Sequence, residues 1–592
     1  MKKACSILLI LMLLLTGCAG ETDPVPSGDG ATAAPAVDFS QTDQQMFTDR
    51  DQNPQYTGGS VICFDADAVS CEDAGVKIDG STVTITRAGT YILTGSWSNG
   101  SVVVDAGEND KVQIVLNGVK LHSESTAPLV IRQADKVFLT LAERSENTLS
   151  CGETFPETED NIDAVIFSKE DLTVNGSGKL TVSSPAGHGI VCKDDLVITG
   201  GGLTVQAAAH GIDANDSVRI KSGALVIQAG KDGIHCENAD DAELGFVYIS
   251  GGKLEVDAQG DGISAGAWLQ IREGIFNLRC GGGSENGNKE HGDNWGGFPG
   301  QPPGMGGRPR SDTASSADTE STSMKGVKSG NSLMISGGSF SIDTADDAIH
   351  TNVSATICGG SFEIASGDDA IHAEEELLIT GGTILVSESY EALEALHIKV
   401  QGGDLTLTAT DDGINAAGGV DSSGTGGRDE MFVGGGRPGM GGGRPGMSGN
   451  SDGSIVISGG TLYVKASGDG IDANGTLEIT GGYTVVTGPT RGDTATLDYD
   501  VSGVISGGIF IGTGASGMAQ TLSSETQGIL SLSVGNASAG TKITLTDGDG
   551  KQILTFSPEL DYAVLILSSP EMVKGKSYTV TVGQQSGTFP AE

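Results

Sequence analysis

The chain has 592 residues, 34 basic against 77 acidic, a formal net charge of −43 and 93 glycines. Nothing in it makes a basic patch, which argues against nucleic acid as a partner. Aromatic residues are 5% of the total, with Trp97, Trp268 and Trp295 the only tryptophans. That leaves no evident stacking platform for neutral sugar rings and points to polar contacts.

At the N-terminus, Lys2 and Lys3 precede an apolar run from Ile7 to Leu15, too short to span a bilayer, so residues 1–17 read as a secretion signal. The ending Leu15-Thr16-Gly17-Cys18 resembles the bacterial lipobox, which implies cleavage before Cys18 and diacylation of its sulfur. The expected location is extracytoplasmic, on a membrane anchor. Residues 18–57 are rich in Asp, Thr, Pro, Ala and Gln and read as a flexible stalk.

From 58 to 524 the sequence repeats. An acidic residue or histidine, a small residue and Ile or Leu recur, clearest at Asp232-Gly233-Ile234-His235, Asp347-Ala348-Ile349-His350, Asp369-Ala370-Ile371-His372, Glu394-Ala395-Leu396-His397, Asp412-Gly413-Ile414-Asn415 and Asp469-Gly470-Ile471-Asp472. Ile190, Ile212 and Ile234 are 22 residues apart, as are Ile349 and Ile371. Between markers, stretches such as Leu196–Ala207 alternate apolar and polar residues around a Gly-Gly turn. A period of this length without helical patterning predicts an all-β, right-handed parallel β-helix of about 22-residue coils. Residues 525–592 also alternate like short strands and are expected to cap the open end of the coil, which would otherwise expose unpaired edges.

Stacking turns each repeat position into a column with rungs about 4.8 Å apart. One column, Val165, Ile190, Ile212, Ile234, Ile263, Val327, Ile349, Ile371, Leu396, Ile414 and Ile471, is the core ladder; Cys192, Ala214, Cys236 and Ala265 form a small, buried one. Two outer columns make a polar stripe. Asp346, Asp347, Asp368, Asp369, Glu394, Asp411 and Asp412 fall on neighbouring coils, and Asp232 and Asp261 extend the column. Like charges at that spacing repel, so either some are protonated or a cation sits among them. Ca²⁺ suits such an oxygen-rich set, and the doubled acids exceed what Asp-Gly turns require. His350, His372, His397 and Asp472 of the second column, with Asp469 of the first, are the expected ligand-facing residues. Six of the eight histidines lie in these columns and read as a ladder of neutral imidazoles hydrogen-bonded along the stack, with a Zn²⁺ or Ni²⁺ site as the alternative.

Two Gly-, Pro- and Ser-rich inserts, 281–325 and 417–453, interrupt the repeat beside the stripe and share Gly-Arg-Pro phrases. Seven cysteines remain beyond Cys5 and Cys18, and the odd number argues against a complete disulfide framework, although Cys63 and Cys71 are near enough in sequence to pair.

The phrases Thr84-Ile-Thr-Arg-Ala-Gly-Thr-Tyr-Ile-Leu-Thr-Gly95, Val112-Gln-Ile-Val-Leu-Asn-Gly118, Ala164-Val-Ile-Phe-Ser-Lys-Glu-Asp-Leu-Thr-Val-Asn-Gly-Ser-Gly178 and Gly514-Ala-Ser-Gly-Met518 resemble a family of bacterial surface β-helix proteins described as carbohydrate-binding. The resemblance runs from about Gly59 to Met518. It implies binding of cellulose or of acidic sugars such as polygalacturonate, calcium, and a pectate-lyase-like fold. The leading expectation is therefore a surface lipoprotein whose Ca²⁺ ions bridge its own carboxylates to those of a uronate polymer. A calcium-dependent polysaccharide lyase is the alternative, which needs a base beside the metal; Lys193, Lys231 and Lys399 adjoin repeat positions but form no evident catalytic constellation. A structural adhesin or scaffold is the third reading.

Overall fold

The computed structural model describes residues 37–592 apart from 67, 157–160, 288–322, 418–451 and 493. The secretion signal, Cys18 and the Gly-Arg-Pro phrases of both inserts lie outside the described residues. The described chain forms one compact unit, Val37–Glu592.

Each coil contributes three short strands, for example His188–Cys192, Asp195–Ile198 and Gly202–Ala207, followed by Ile212–Ala214, Ser217–Ile220 and Ala224–Ala229. These strands pair in parallel with their counterparts in the next coil, which gives the stack three faces. This all-β, mostly parallel arrangement is consistent with a parallel β-helix. Alternation decides what turns inward: Leu203, Val205, Leu225 and Ile227 are buried, while Thr204 and Gln206 face out. The second residue of the Gly-Gly turn lies in the left-handed region, with φ of +104° at Gly338, +102° at Gly360 and +100° at Gly382, which favours glycine.

The core ladder is a set of register partners. Ile190 pairs with Ile212, Ile212 with Ile234, Ile234 with Ile263, Ile263 with Val327, Val327 with Ile349 and Ile349 with Ile371. All are fully buried. A further internal column stacks Phe276, Phe340 and Phe362 with centroids 4.5 and 4.6 Å apart. Cys192 and Cys236 flank Ala214 in the small column, and the seven described cysteines are free.

Three expectations are corrected. Ile166, rather than Val165, is the partner of Ile190. Leu393, rather than Leu396, follows Ile371 in the ladder. The stalk does not extend to 57, because residues 39–53 pack along the second face. Thr173, Val197, Arg219, Tyr248 and Gln270 are register neighbours on five consecutive coils. Gln270 donates to the Phe39 carbonyl at 3.0 Å, Tyr248 to Asp43 at 2.9 Å, Arg219 to the Met46 carbonyl at 3.2 Å and Thr173 to Asp51 at 2.7 Å. Met46 and Phe47 are buried against Val197 and Tyr248. Asp51, also buried, lies 3.0 Å from Lys136 Nζ.

At the far end, Ile509–Gly514 pairs antiparallel with Tyr562–Val573, which pairs with Gln527–Ala537. A separate four-stranded antiparallel sheet follows, built from Ile543–Thr546, Gln552–Phe556, Ser577–Val582 and Gln585–Pro590. It shares a second core containing Leu530, Leu545, Leu567, Tyr578 and Val580. Among the described residues no helix is long and apolar enough to cross a membrane.

Candidate functional site

The stripe occupies the short strand of each coil and the turn that leads into it. In its first column the carboxylate has a structural task. Asp232 Oδ1 accepts the Asp261 N–H at 2.8 Å, Asp261 accepts that of Lys325 at 2.7 Å, and Asp347 and Asp369 accept those of Asp369 and Glu391 at 3.0 Å each. Asp412 and Asp469 do the same for Asp469 and Ala495. One oxygen of each acid thus fastens the turn of the next coil, leaving the other for ligands or counter-charges.

The expected Glu394–His397 repeat is shifted by three residues. Glu391-Ala392-Leu393-Glu394 occupies the coil instead, with Glu391 after Asp369 in the first column and Glu394 paired with His372 in the second. His397 leaves the stripe altogether. It sits on the second face, paired with Glu376 and Ser454, and its Nδ1 lies 2.9 Å from Ser454 Oγ. The signal for this register was present in the 22-residue step from Ile371 to Leu393. The doubled Glu-Ala-Leu and the terminal His hid it.

Toward the N-terminal end the acids have cations from the chain itself. Asp232 Oδ2 lies 2.9 Å from His235 Nδ1 and 3.3 Å from His210 Nδ1. Burial works against the charge of Asp232, but the hydrogen bonds from His210 and His235 outweigh it and hold Asp232 well below the usual carboxylate range. Burial likewise disfavours charged His235, yet bonds to Asp232 and Glu237 push its pKa up to about 10. Both carboxylates thus favour the charged form of His235, in contrast to the neutral imidazoles expected of the ladder. The rings of His188, His210 and His235 stack at 5.1 and 4.5 Å, and their polar contacts run to carboxylates rather than from ring to ring.

Lys325, the last residue of the first insert, was not foreseen as part of the site. Its ammonium lies 2.9 Å from Asp346 and 2.8 Å from Asp347, with all three side chains buried. Burial opposes the charge of Asp347, but Lys325 and then His350 hold it well below the usual range. Asp261 is 3.5 Å from Lys328 Nζ. Lys325 thus places a positive charge beside both Asp346 and Asp347. Lys193 pairs with Asp213 at 3.8 Å, and Lys399 with Glu376 at 2.7 Å on the second face.

Further along, acid faces acid. His372 Nδ1 lies 3.4 Å from Asp369 and 3.3 Å from Glu394. Burial, then Asp369, pushes Glu394 up to about 11. Burial and the charges of Asp369 and Asp412 raise Glu391 well above its ordinary value, and Glu391 Oε2 is buried without a hydrogen-bond partner while Asn415 donates to Oε1 at 3.0 Å. Burial, then Asp411, pushes Asp412 up to about 8. Burial, then Asp469, Asp498 and Asp500, raises Asp472 to about 7. Asp498, the register partner of Asp472, extends the column by one unforeseen residue. Asp346, Asp347 and Asp368 present oxygens within 4.8 Å of one another, as do the donor atoms of Asp369, His372 and Glu394.

A three-faced β stack with one polar stripe along a row of turns defines a repeat scaffold with a long polar surface. The chain belongs to the family of carbohydrate-binding domain-containing proteins, whose family model matches residues 79–370 and 369–585. A carbohydrate-binding domain-containing protein of Acetivibrio thermocellus is 33% identical over 203 residues, which is 34% of this chain and 63% of that protein. This chain therefore spans less than two thirds of that relative's length. The solved structure of the polysaccharide lyase-like protein from C. thermocellum, a gadolinium derivative, is similar at 26% identity and a TM-score of 0.35, covering 54% of this chain and 97% of that one.

Proposed function

We propose that the protein binds acidic polysaccharide through Ca²⁺ held along the stripe from Asp368 to Asp472. Family membership supports polysaccharide as the ligand class. The observation that carries the acidic-ligand reading is the run of acids whose neighbours are acids. A chain of charge −43 holds a polyanion only with a cation between them.

The donor chemistry fits a hard cation. Asp368, Asp369, Glu394, Asp411, Asp412, Asp469 and Asp472 offer oxygens, and the unpartnered, buried Glu391 Oε2 lies in the same stretch. Bound Ca²⁺ would supply positive charge with an adaptable oxygen shell that admits carboxylates from both protein and uronate. Asp411, Asp412, Asp469 and Asp472 are partly exposed and would present the ligand side, while Asp369 and Glu391 would support it from beneath. Asp346, Asp347, Asp232 and Asp261, engaged by Lys325, the histidines and Lys328, hold the stack together.

The scaffold of this reading is a right-handed coil of about 22 residues closed by residues 525–592. The mature chain is an extracytoplasmic lipoprotein held by a diacyl group on Cys18. Incubating the protein with polygalacturonate, with and without EDTA, tests the function. Retention that needs calcium and yields no unsaturated product, read by absorbance, is the expected outcome. Product would promote the lyase, and neither retention nor product would leave a scaffold.

A further inference from the structure

The histidine-rich end of the stripe has a different donor set from the acidic end, and different coordination chemistry follows. We propose that His210, Asp232 and His235 form an open site for a divalent transition metal of the Zn²⁺ class, separate from the acid-rich stretch and independent of the polysaccharide reading.

Geometry is the first support. His210 Nδ1 lies 3.3 Å and His235 Nδ1 2.9 Å from the same oxygen of Asp232, and the three ligand atoms fall within 4.8 Å of one another. Donors bound to Zn²⁺ at about 2.0–2.2 Å in a tetrahedron are separated by about 3.4 Å, so little rearrangement would admit the ion. His210 Nδ1 also receives the Asp232 N–H at 3.2 Å. That contact belongs to the tautomer whose Nδ1 carries a lone pair, the state ligation requires; a protonated Nδ1 donates to Asp232 Oδ2 instead.

The surroundings are the second support. Metal-bound histidines commonly donate their other ring nitrogen to a carboxylate, which fixes the ring. Here His235 Nε2 lies 3.4 Å from Glu237 Oε2. The side chains of His210, Asp232 and His235 are 14%, 13% and 24% exposed, enough for water to complete a shell and for an ion to exchange. His188, stacked on His210 at 5.1 Å, has a buried Nδ1 without a hydrogen-bond partner, so a further imidazole adjoins the site. Two imidazoles with one carboxylate favour Zn²⁺, Co²⁺ or Ni²⁺ over Ca²⁺, which prefers oxygen. The competing description is a plain ion pair, with protonated His235 between Asp232 and Glu237.

Calorimetric titration of the chelator-treated full chain with Zn²⁺, and absorbance with Co²⁺, separates the two. One saturable equivalent is expected, with visible Co²⁺ bands that excess Ca²⁺ does not remove. His235→Ala should abolish the bands, and the milder Glu237→Gln should weaken binding about 10- to 100-fold. His372→Ala and Asp412→Asn should leave both signals unchanged. Absence of saturable binding, displacement by Ca²⁺, or binding untouched in His235→Ala and Glu237→Gln would overturn the site.

Discussion

Between His210 and His350 the carboxylates of the stripe face cations supplied by the chain, His235 for Asp232, Lys328 for Asp261 and Lys325 for Asp346 and Asp347. Between Glu391 and Asp472 the charges acting on Glu391, Asp412 and Asp472 come from other acids. The backbone is the same in both regions, down to the acid oxygen that fastens the next turn. The repeat therefore conserves a structural role for one oxygen and leaves the charge of the column open to local choice. In one region side-chain cations stand beside the acids; in the other, acid faces acid.

Lys325→Met gives the strongest break in that contrast. It leaves Asp346 and Asp347 buried without their ammonium, and removing one member of a buried pair costs about 3–5 kcal/mol. Denaturant unfolding should report that loss, and a change within about 0.5 kcal/mol, typical of surface substitutions, would show that the balanced region is not balanced by Lys325. Calcium sharpens the other side. At about 100 times its dissociation constant it should raise the unfolding free energy by about 2.7 kcal/mol. That increment should vanish in Asp412→Asn/Asp472→Asn and persist in Asp232→Asn, as read by melting with and without EDTA.

The smallest effect concerns Asp194, an acid-facing acid outside the stripe, between the strands His188–Cys192 and Asp195–Ile198. Burial, then Asp171, Asp195 and Asp216, raises its pKa from 3.8 to about 7. The folded state thus holds a proton that the unfolded chain releases, so stability at this group is greatest at low pH and declines as pH rises from about 4 toward 7. Asp194→Asn should flatten that part of the profile of melting temperature against pH. An unchanged slope would remove Asp194 as its source.

The ladder from Ile190 to Ile371 was legible because burial on one face of a regular coil forces an apolar residue at a fixed step. Where Glu391-Ala-Leu-Glu-Ala-Leu-His397 offers two overlapping matches, local pattern and global step disagreed, and stacking settled it for Glu391. The acids of the site were legible by type but not by partner. Lys325 adjoins a Gly- and Ser-rich insert, and nothing in its neighbourhood announces that its side chain ends between two aspartates of the next coil. The packing of residues 39–53 was hidden for a related reason. Its anchors, Phe39, Met46, Phe47 and Asp51, are sparse among polar residues, and the surface they meet is assembled from five coils far away in sequence.

That crossing segment has a mechanical consequence. A stack of coils pulled from its first strand would peel rung by rung, each ladder opening in turn. Here a force arriving through the chain before Phe39 reaches the rod first at Gln270, and passes through Tyr248, Arg219 and Thr173 before it reaches the first coil. Contacts on five coils would then share that load in shear, as a tie rod spreads tension along a stack.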